Sequence, residues 1–192
     1  MEMLPFRSCI HIYHGDGKGK TTAAMGLALR ALGAGIRPCV VQFLKTEASS
    51  ERRALEVFSS KGLHLVPLPA SMKFTFQMDK REKQEASSLC LSLLEEGLRL
   101  YTWEKGGLLI LDEVLDAVNT GLLPEEELEE ALRTLRPRRL TDGEGGPLGG
   151  DVILTGRNPS PALLEMADYI TEMSARRHPY KEGLTARRGI EY

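Results

Sequence analysis

The sequence predicts an α/β fold, a mostly parallel sheet layered between helices. Three observations carry this expectation. Strand-like and helix-like runs alternate along most of the chain, and no internal repeat interrupts them. A glycine-rich stretch, His14-Gly15-Asp16-Gly17-Lys18-Gly19-Lys20-Thr21-Thr22, joins the first strand-like run to the first helix-like run. A later run over 107–113 is apolar almost throughout, as buried parallel strands are, and ends in Asp112-Glu113.

Taken in order, residues 8–13 alternate apolar and other positions and read as a strand. Residues 22–33 are rich in strong helix formers. Residues 37–44 are a second, nearly continuous apolar strand, with Lys45 at its end. A helix over 50–61 follows, with Ser50 as N-cap, Leu55 and Phe58 on one face and Gly62 as its stop. Residues 63–67 are a third strand, and 70–78 are a loop that contains Phe74-Thr75-Phe76. Asp79 caps a long helix to about Trp103, with Leu89, Leu93 and Leu100 on its apolar face.

After the strand at 107–113, a short helix runs to Asn119 and Gly121 ends it. Pro124 suits the first turn of an acidic helix over 125–135. Residues 136–150, rich in proline and glycine, read as loop. A strand over 151–155, a helix near 161–167 and a last strand over 169–173 complete the pattern before a basic, polar tail from residue 174.

At 192 residues the chain fits a single domain, 1–192, with a substantial core. Apolar content of 42% and charged content of 27% are those of a globular protein in water, and a net charge of −2 gives no basic field for DNA or RNA. Cys9, Cys39 and Cys90 lack metal or disulfide spacing and read as reduced thiols of a cytoplasmic protein. Residues 1–7 are too short and polar for a signal peptide, and no apolar run approaches the ~20 residues of a membrane span.

The chemistry gathers at the glycine-rich stretch. Gly15, Gly17 and Gly19 let the backbone turn its N–H groups inward, and the helix N-terminus adds partial positive charge. Lys20 adds a full charge, and Thr21 a hydroxyl suited to Mg²⁺. Strand, loop and helix together form a P-loop phosphate cradle, so the fold expected is the RecA-like P-loop NTPase sheet. One position departs from the usual pattern: His14 stands where a leading glycine is common.

In such sheets ligands bind at the carboxyl ends of the strands, where Asp112 and Glu113 also emerge. Two carboxylates beside a triphosphate hold Mg²⁺ directly or through water, although such a pair alone is most often just a solvated helix start; the P-loop beside it favours the metal role. Arg157, after Thr155-Gly156, lies on the same rim and suits either a phosphate or ribose contact or a surface ion pair. Arg30 and Lys45 suit solvated positions as readily as the site. Phe74 and Phe76 suit either the core or an apolar wall for a large flat ligand. No serine, cysteine or histidine arrangement argues for covalent catalysis. These residues also fit a small-molecule kinase, with Arg136, Arg138 and Arg139 as lid and ADP as product, or a non-catalytic nucleotide-binding regulator.

Several segments together resemble one family, the P-loop ATP:corrinoid adenosyltransferases of cobalamin biosynthesis. They are Gly15-Asp16-Gly17-Lys18-Gly19-Lys20-Thr21-Thr22-Ala23-Ala24, Val41-Gln42-Phe43-Leu44-Lys45, Phe74-Thr75-Phe76, Leu111-Asp112-Glu113, Leu154-Thr155-Gly156-Arg157, Met166-Ala167-Asp168 and Gly189-Ile190-Glu191-Tyr192. They keep the family's order across nearly the whole chain, and the family also lacks the leading glycine. Its second aromatic is often Trp where this chain has Phe76. Its enteric members carry an N-terminal segment over the site, whereas the first strand here begins near residue 8, and the loop at 136–150 is longer than the family leads one to expect.

The resemblance implies that a reduced corrinoid, Co(I), attacks the 5′ carbon of ATP and releases triphosphate, making adenosylcobalamin or an adenosylated precursor. Gly15, Asp16, Gly17, Lys18, Gly19, Lys20, Thr21 and Thr22 would hold the triphosphate, in a direction reversed relative to ordinary P-loop ATPases. Arg30 and Arg157 would position the nucleotide. Thr21 and Glu113, supported by Asp112, would hold Mg²⁺. Phe74 and Phe76 would exclude the lower axial ligand of cobalt and so ease reduction to Co(I). The implied partners are a flavoprotein reductant and a second copy of the chain in a homodimer.

Overall fold

The computed structural model describes residues 8–46, 49–101, 107–135, 150–177, 179, 183, 185–187 and 189–190. Strands β1 (Ile10–His14), β2 (Arg37–Gln42), β3 (His64–Leu65), β4 (Gly107–Asp112), β5 (Asp151–Gly156) and β6 (Tyr169–Glu172) form one sheet in the order β3-β2-β4-β5-β1-β6. Every pairing is parallel. All the carboxyl ends therefore point one way, and the loops that leave them share one rim.

The central strands bury both faces, which is why their sequences read as unbroken apolar runs. Val40, Leu108, Ile110 and Ile153 face one layer, which is formed by α1 (Lys20–Gly33) and α2 (Ser50–Glu56). Cys39, Val41, Leu109, Leu111, Val152 and Leu154 face the other. That side is covered by α3 (Lys80–Leu100), α4 (Val114–Asn119), α5 (Glu125–Leu135) and α6 (Pro161–Met166). Ala24, Ala28 and Ala31 are the buried residues of α1 alongside Met25, and their small size brings that helix close to the sheet. The three-layer α/β expectation thus holds.

Helix ends follow local chemistry. Asp79 caps α3 by a full capping box: its carboxylate accepts from the Glu82 N–H at 2.8 Å, and Glu82 accepts in return from the Asp79 N–H at 3.0 Å. The acidic helix α5 spans the expected residues, with three glutamates in its first turn complementing the helix dipole.

The strand expected over 63–67 is only His64–Leu65, the one expected over 37–44 stops at Gln42, and two helices also differ from the sequence reading. The helix expected over 50–61 stops at Glu56, and a 3₁₀ turn (Ser59–Lys61) leads to Gly62 at φ 98°. Val57, Ser59 and Ser60 are poor helix formers, so the last turn tightens rather than continues. Its N-cap is Ser49 rather than Ser50. The helix expected to reach Trp103 ends at Leu100, and Trp103 lies outside the described residues, as does the loop from residue 136 to residue 149.

Cys39 and Cys90 are buried free thiols and Cys9 is half-buried. Burial pushes the Cys39 thiol up to about 12 and that of Cys90 up to about 11, so both remain protonated core groups. Among the described residues, no helix is long and apolar enough to cross a membrane.

Candidate active site

The loop between β1 and α1 is a cradle fixed from two sides. His14 stays extended as the last residue of β1, level with Gly156 of β5 and Glu172 of β6. The chain turns only afterwards, at Gly15 (φ 114°) and Gly19 (φ 111°), so the position before Gly15 has no need of glycine. On the outer side the chain beyond β6 lies directly against the loop. The Gly17 N–H donates to the Met173 carbonyl at 2.6 Å, and the Asp16 carboxylate accepts from the Ala175 N–H at 2.8 Å. A Cβ on Gly15 or Gly17 would stand 2.5 Å from that Met173 oxygen, so neither position admits a side chain.

Lys20 opens α1 and folds back over the loop, donating to the carbonyls of Gly15 at 2.7 Å and Gly17 at 2.8 Å. Burial lowers its proton affinity, and the nearby charge of Arg157 acts in the same direction. An ammonium held by neutral carbonyls beside another cation is poised to accept an anion.

Asp112, at the end of β4, is fully buried and joins four elements. Its Oδ1 accepts from the Thr21 and Thr155 hydroxyls, each at 2.8 Å. Its Oδ2 accepts from the Lys45 ammonium at 2.8 Å and the Gln42 amide at 3.3 Å. Burial works against the charge of Lys45, but Asp112, Glu113 and Glu51 outweigh it and raise its proton affinity. The next residue, Glu113, has a left-handed backbone (φ 60°), a costly conformation for a residue with a Cβ. Its N–H donates to the Thr155 hydroxyl at 2.8 Å, which holds the strained turn. Burial, with help from Asp112 and Asp116 and against the pull of Lys45, pushes the Glu113 carboxyl up to about 7. This carboxyl group sits in an electronegative site that favours a cation.

Lys20, Thr21, Thr155 and Glu113 open onto one cleft of about 290 Å³, with Asp112 buried behind it. Its walls include Asp16, Gly17, Lys18, Gly19, Lys20, Thr21 and Thr22 from the cradle, Glu113 from the β4–α4 turn, Asp116 from α4, and Thr155 and Arg157 from the end of β5. Pro179, Thr185, Ala186 and Ile190 of the tail close another side. Arg157 approaches Asp116 at 3.4 Å, so the ion pair and the site position are the same place. Arg30 does not line the cleft; it lies about 15 Å along the axis of α1 from Lys20, at ~1.5 Å per residue.

Phe74 and Phe76 are 71% and 80% exposed, which sets aside the core-packing reading. They stack on each other, with ring centroids 5.5 Å apart and planes 13° from parallel, around a 3₁₀ turn (Thr75–Gln77). From the sequence alone, Lys45 had no more than an even claim and no role was assigned to Thr155, Asp116 or Gln42. The strand Val41-Gln42-Phe43-Leu44-Lys45 carried the missing signal, because buried Gln42 in an apolar strand asks for a polar partner.

The sequence profile of ATP:corrinoid adenosyltransferase BtuR/CobO/CobP matches residues 7–192. The chain belongs to that family. Corrinoid adenosyltransferase CobA of Salmonella typhimurium is 34% identical over 97% of this chain and 86% of its own length. A corrinoid adenosyltransferase of Escherichia coli K12 matches to the same extent, 34% over 97% and 86%. A solved structure, the Aeropyrum pernix ORC2 protein in its ADP form, superposes with a TM-score of 0.44 and 16% identity over 88% of this chain and 43% of that one. Family membership makes the protein a transferase whose substrates are ATP and a cobalt corrinoid.

Proposed function

We propose that the rim of the sheet holds ATP by its triphosphate and presents the ribose 5′ carbon to the cobalt of a bound, reduced corrinoid. The Co–C bond forms as the C5′–O bond breaks, and the triphosphate leaves with the bonding pair. The observation that carries this reading is the meeting of Lys20, Thr21, Asp112 and Glu113 at one cradle, within a chain of this family.

Lys20 exchanges its two loop carbonyls for phosphate oxygens, and the inward N–H groups of the cradle stabilise the same charge. Arg157 lies where the nucleotide enters and orients it; Arg30 has the weaker structural support of the two. Catalysis is then positioning and stabilisation of a leaving anion, with no proton to remove from the nucleophile. The hydroxyl of Thr21 and the carboxylate of Glu113 are hard oxygen donors that fit Mg²⁺, with buried Asp112 fixing Thr21 from behind. Bound there, Mg²⁺ would neutralise charge on the departing triphosphate. Mg²⁺ keeps several waters and takes substrate phosphates as ligands, so two protein oxygens suffice for this role.

Phe74 and Phe76 offer an exposed apolar wall, the surface needed to exclude cobalt's lower ligand. A flavoprotein reductant, a homodimer, a single domain and a cytoplasmic setting complete the proposal. The six strands among the described residues share one sheet, which supports the single domain, and the protonated core thiols are compatible with a reducing compartment.

The test is to combine the protein anaerobically with Mg·ATP and chemically reduced cobalamin. The expected result is a light-sensitive alkylcobalt spectrum with stoichiometric triphosphate. Production of ADP without an alkylcobalt species would favour a kinase instead.

A further inference from the structure

Four oxygens surround the Lys45 ammonium. Asp112 Oδ2 lies at 2.8 Å, Glu51 Oε1 at 3.2 Å, Thr21 Oγ1 at 3.4 Å and Glu113 Oε1 at 3.6 Å. Three of the four residues are those assigned above to the binding of Mg²⁺ or its support. We propose that Lys45 holds the metal's place in the nucleotide-free protein, and that Mg²⁺ enters only as Mg·ATP displaces it. The inference rests on that assignment of the metal site.

The geometry is specific. Leu44 adopts a left-handed backbone (φ 53°), which turns the chain sharply just after β2 and just before Lys45. The Lys45 side chain is only 18% exposed, so its charge is screened weakly by solvent. An ammonium at hydrogen-bond distance from Asp112, and within reach of Thr21 and Glu113, competes with a divalent cation for the same oxygens by direct repulsion.

Without Lys45, the acidic end of β4 would hold two neighbouring carboxylates and attract cations at all times. With it, one positive charge offsets part of that negative charge and occupies the oxygens a metal would need. Glu51 provides the way out. It stands on α2, outside the set assigned to the metal, and is already linked to Asp112 through the Gln42 amide at 3.3 Å on each side. Lys45 can release Asp112 and keep Glu51, turning its charge toward the incoming triphosphate.

Mn²⁺ binding, read by electron paramagnetic resonance, tests this without recourse to turnover. In the absence of nucleotide, wild-type protein should bind Mn²⁺ weakly and Lys45→Met at least tenfold more tightly. Met preserves the stem of the side chain, and Asp112 retains the Thr21, Thr155 and Gln42 donors. Glu113→Gln, measured with Mn²⁺ and ATP, tests the underlying site. If it weakens binding while Lys45→Met leaves nucleotide-free affinity at the wild-type value, the place-holding role is overturned and the metal site stands. If Glu113→Gln changes nothing, the metal assignment itself fails.

Should Lys45→Met not fold, the ¹⁵Nζ resonance of Lys45 in wild-type protein decides the matter. It should shift with Mg·ATP and stay in place with Mg²⁺ alone. An unmoved resonance with Mg·ATP, or a shift with Mg²⁺ alone, overturns the proposal.

Discussion

The Thr21 hydroxyl donates to Asp112 Oδ1 at 2.8 Å across 91 residues of sequence, tying the first turn of α1 to the end of β4. This bond locks the phosphate cradle to the acidic strand end. Because Asp112 also receives Lys45, Thr155 and Gln42, it is a structural hub before it is anything else.

Removing that hub should unfold much of the site. Asp112→Ala removes the nearest ion-pair partner of Lys45, leaving it Glu51 and Glu113, opens a cavity and frees both threonine hydroxyls. Breaking a buried, hydrogen-bonded ion pair from one side costs about 3–5 kcal/mol. Urea denaturation should show a loss of that order, and a change below ~1 kcal/mol, the range of exposed pairs, would mean that the network contributes little.

Lys20→Ala should behave in the opposite way, keeping the fold and losing the reaction. Its ammonium bonds to the part-buried backbone carbonyls of residues 15 and 17 at the edge of the cleft, neutral groups that carry no opposing charge to be left unpaired. Loss of one charged stabiliser of the leaving group should cost about 2–4 kcal/mol in the transition state. Steady-state kcat/KM beside a thermal melt separates the two effects, and near-normal turnover in folded protein would sink the cradle assignment.

Much of this arrangement was legible in the sequence because its causes are local. Burial on both faces writes β2, β4 and β5 as apolar runs, and proline followed by glutamates marks the start of α5. The cradle is announced by glycines at the positions where the backbone turns or meets Met173. What escaped was set by contacts distant in sequence. A lysine at a strand end reads alike whether it is solvated or bonded to a buried aspartate, and only its bond to Asp112, 67 residues away, decides it. The seating of Met173 and Ala175 on the cradle is likewise invisible until β6 pairs with β1.

Glu113→Gln removes a negative charge while keeping shape and the strained turn, which Thr155 holds through the backbone. If the carboxylate binds Mg²⁺ on the leaving triphosphate, the Mg²⁺ concentration for half-maximal rate should rise about tenfold, the equivalent of ~1.4 kcal/mol. Titrating rate against Mg²⁺ at saturating ATP reads this directly. An unchanged requirement would return Glu113 to the role of a solvated helix start.

Phe76→Ala separates reduction of cobalt from its attack on ATP. The ring is 80% exposed and stacks on Phe74, so its removal should change stability by no more than about 0.5 kcal/mol, as for other surface substitutions. ATP affinity should also stay near wild type, because neither phenylalanine lines the phosphate cleft. If the pair excludes cobalt's lower ligand, its work is finished once Co(I) exists. Adenosylation that starts from Co(II) and a mild protein reductant should therefore slow by about tenfold or more, corresponding to ~1.4 kcal/mol on the barrier. Adenosylation that starts from chemically generated Co(I) should slow far less. Equal losses in the two assays would assign the rings to general corrinoid binding, because a contact that merely holds the substrate serves both half-reactions alike.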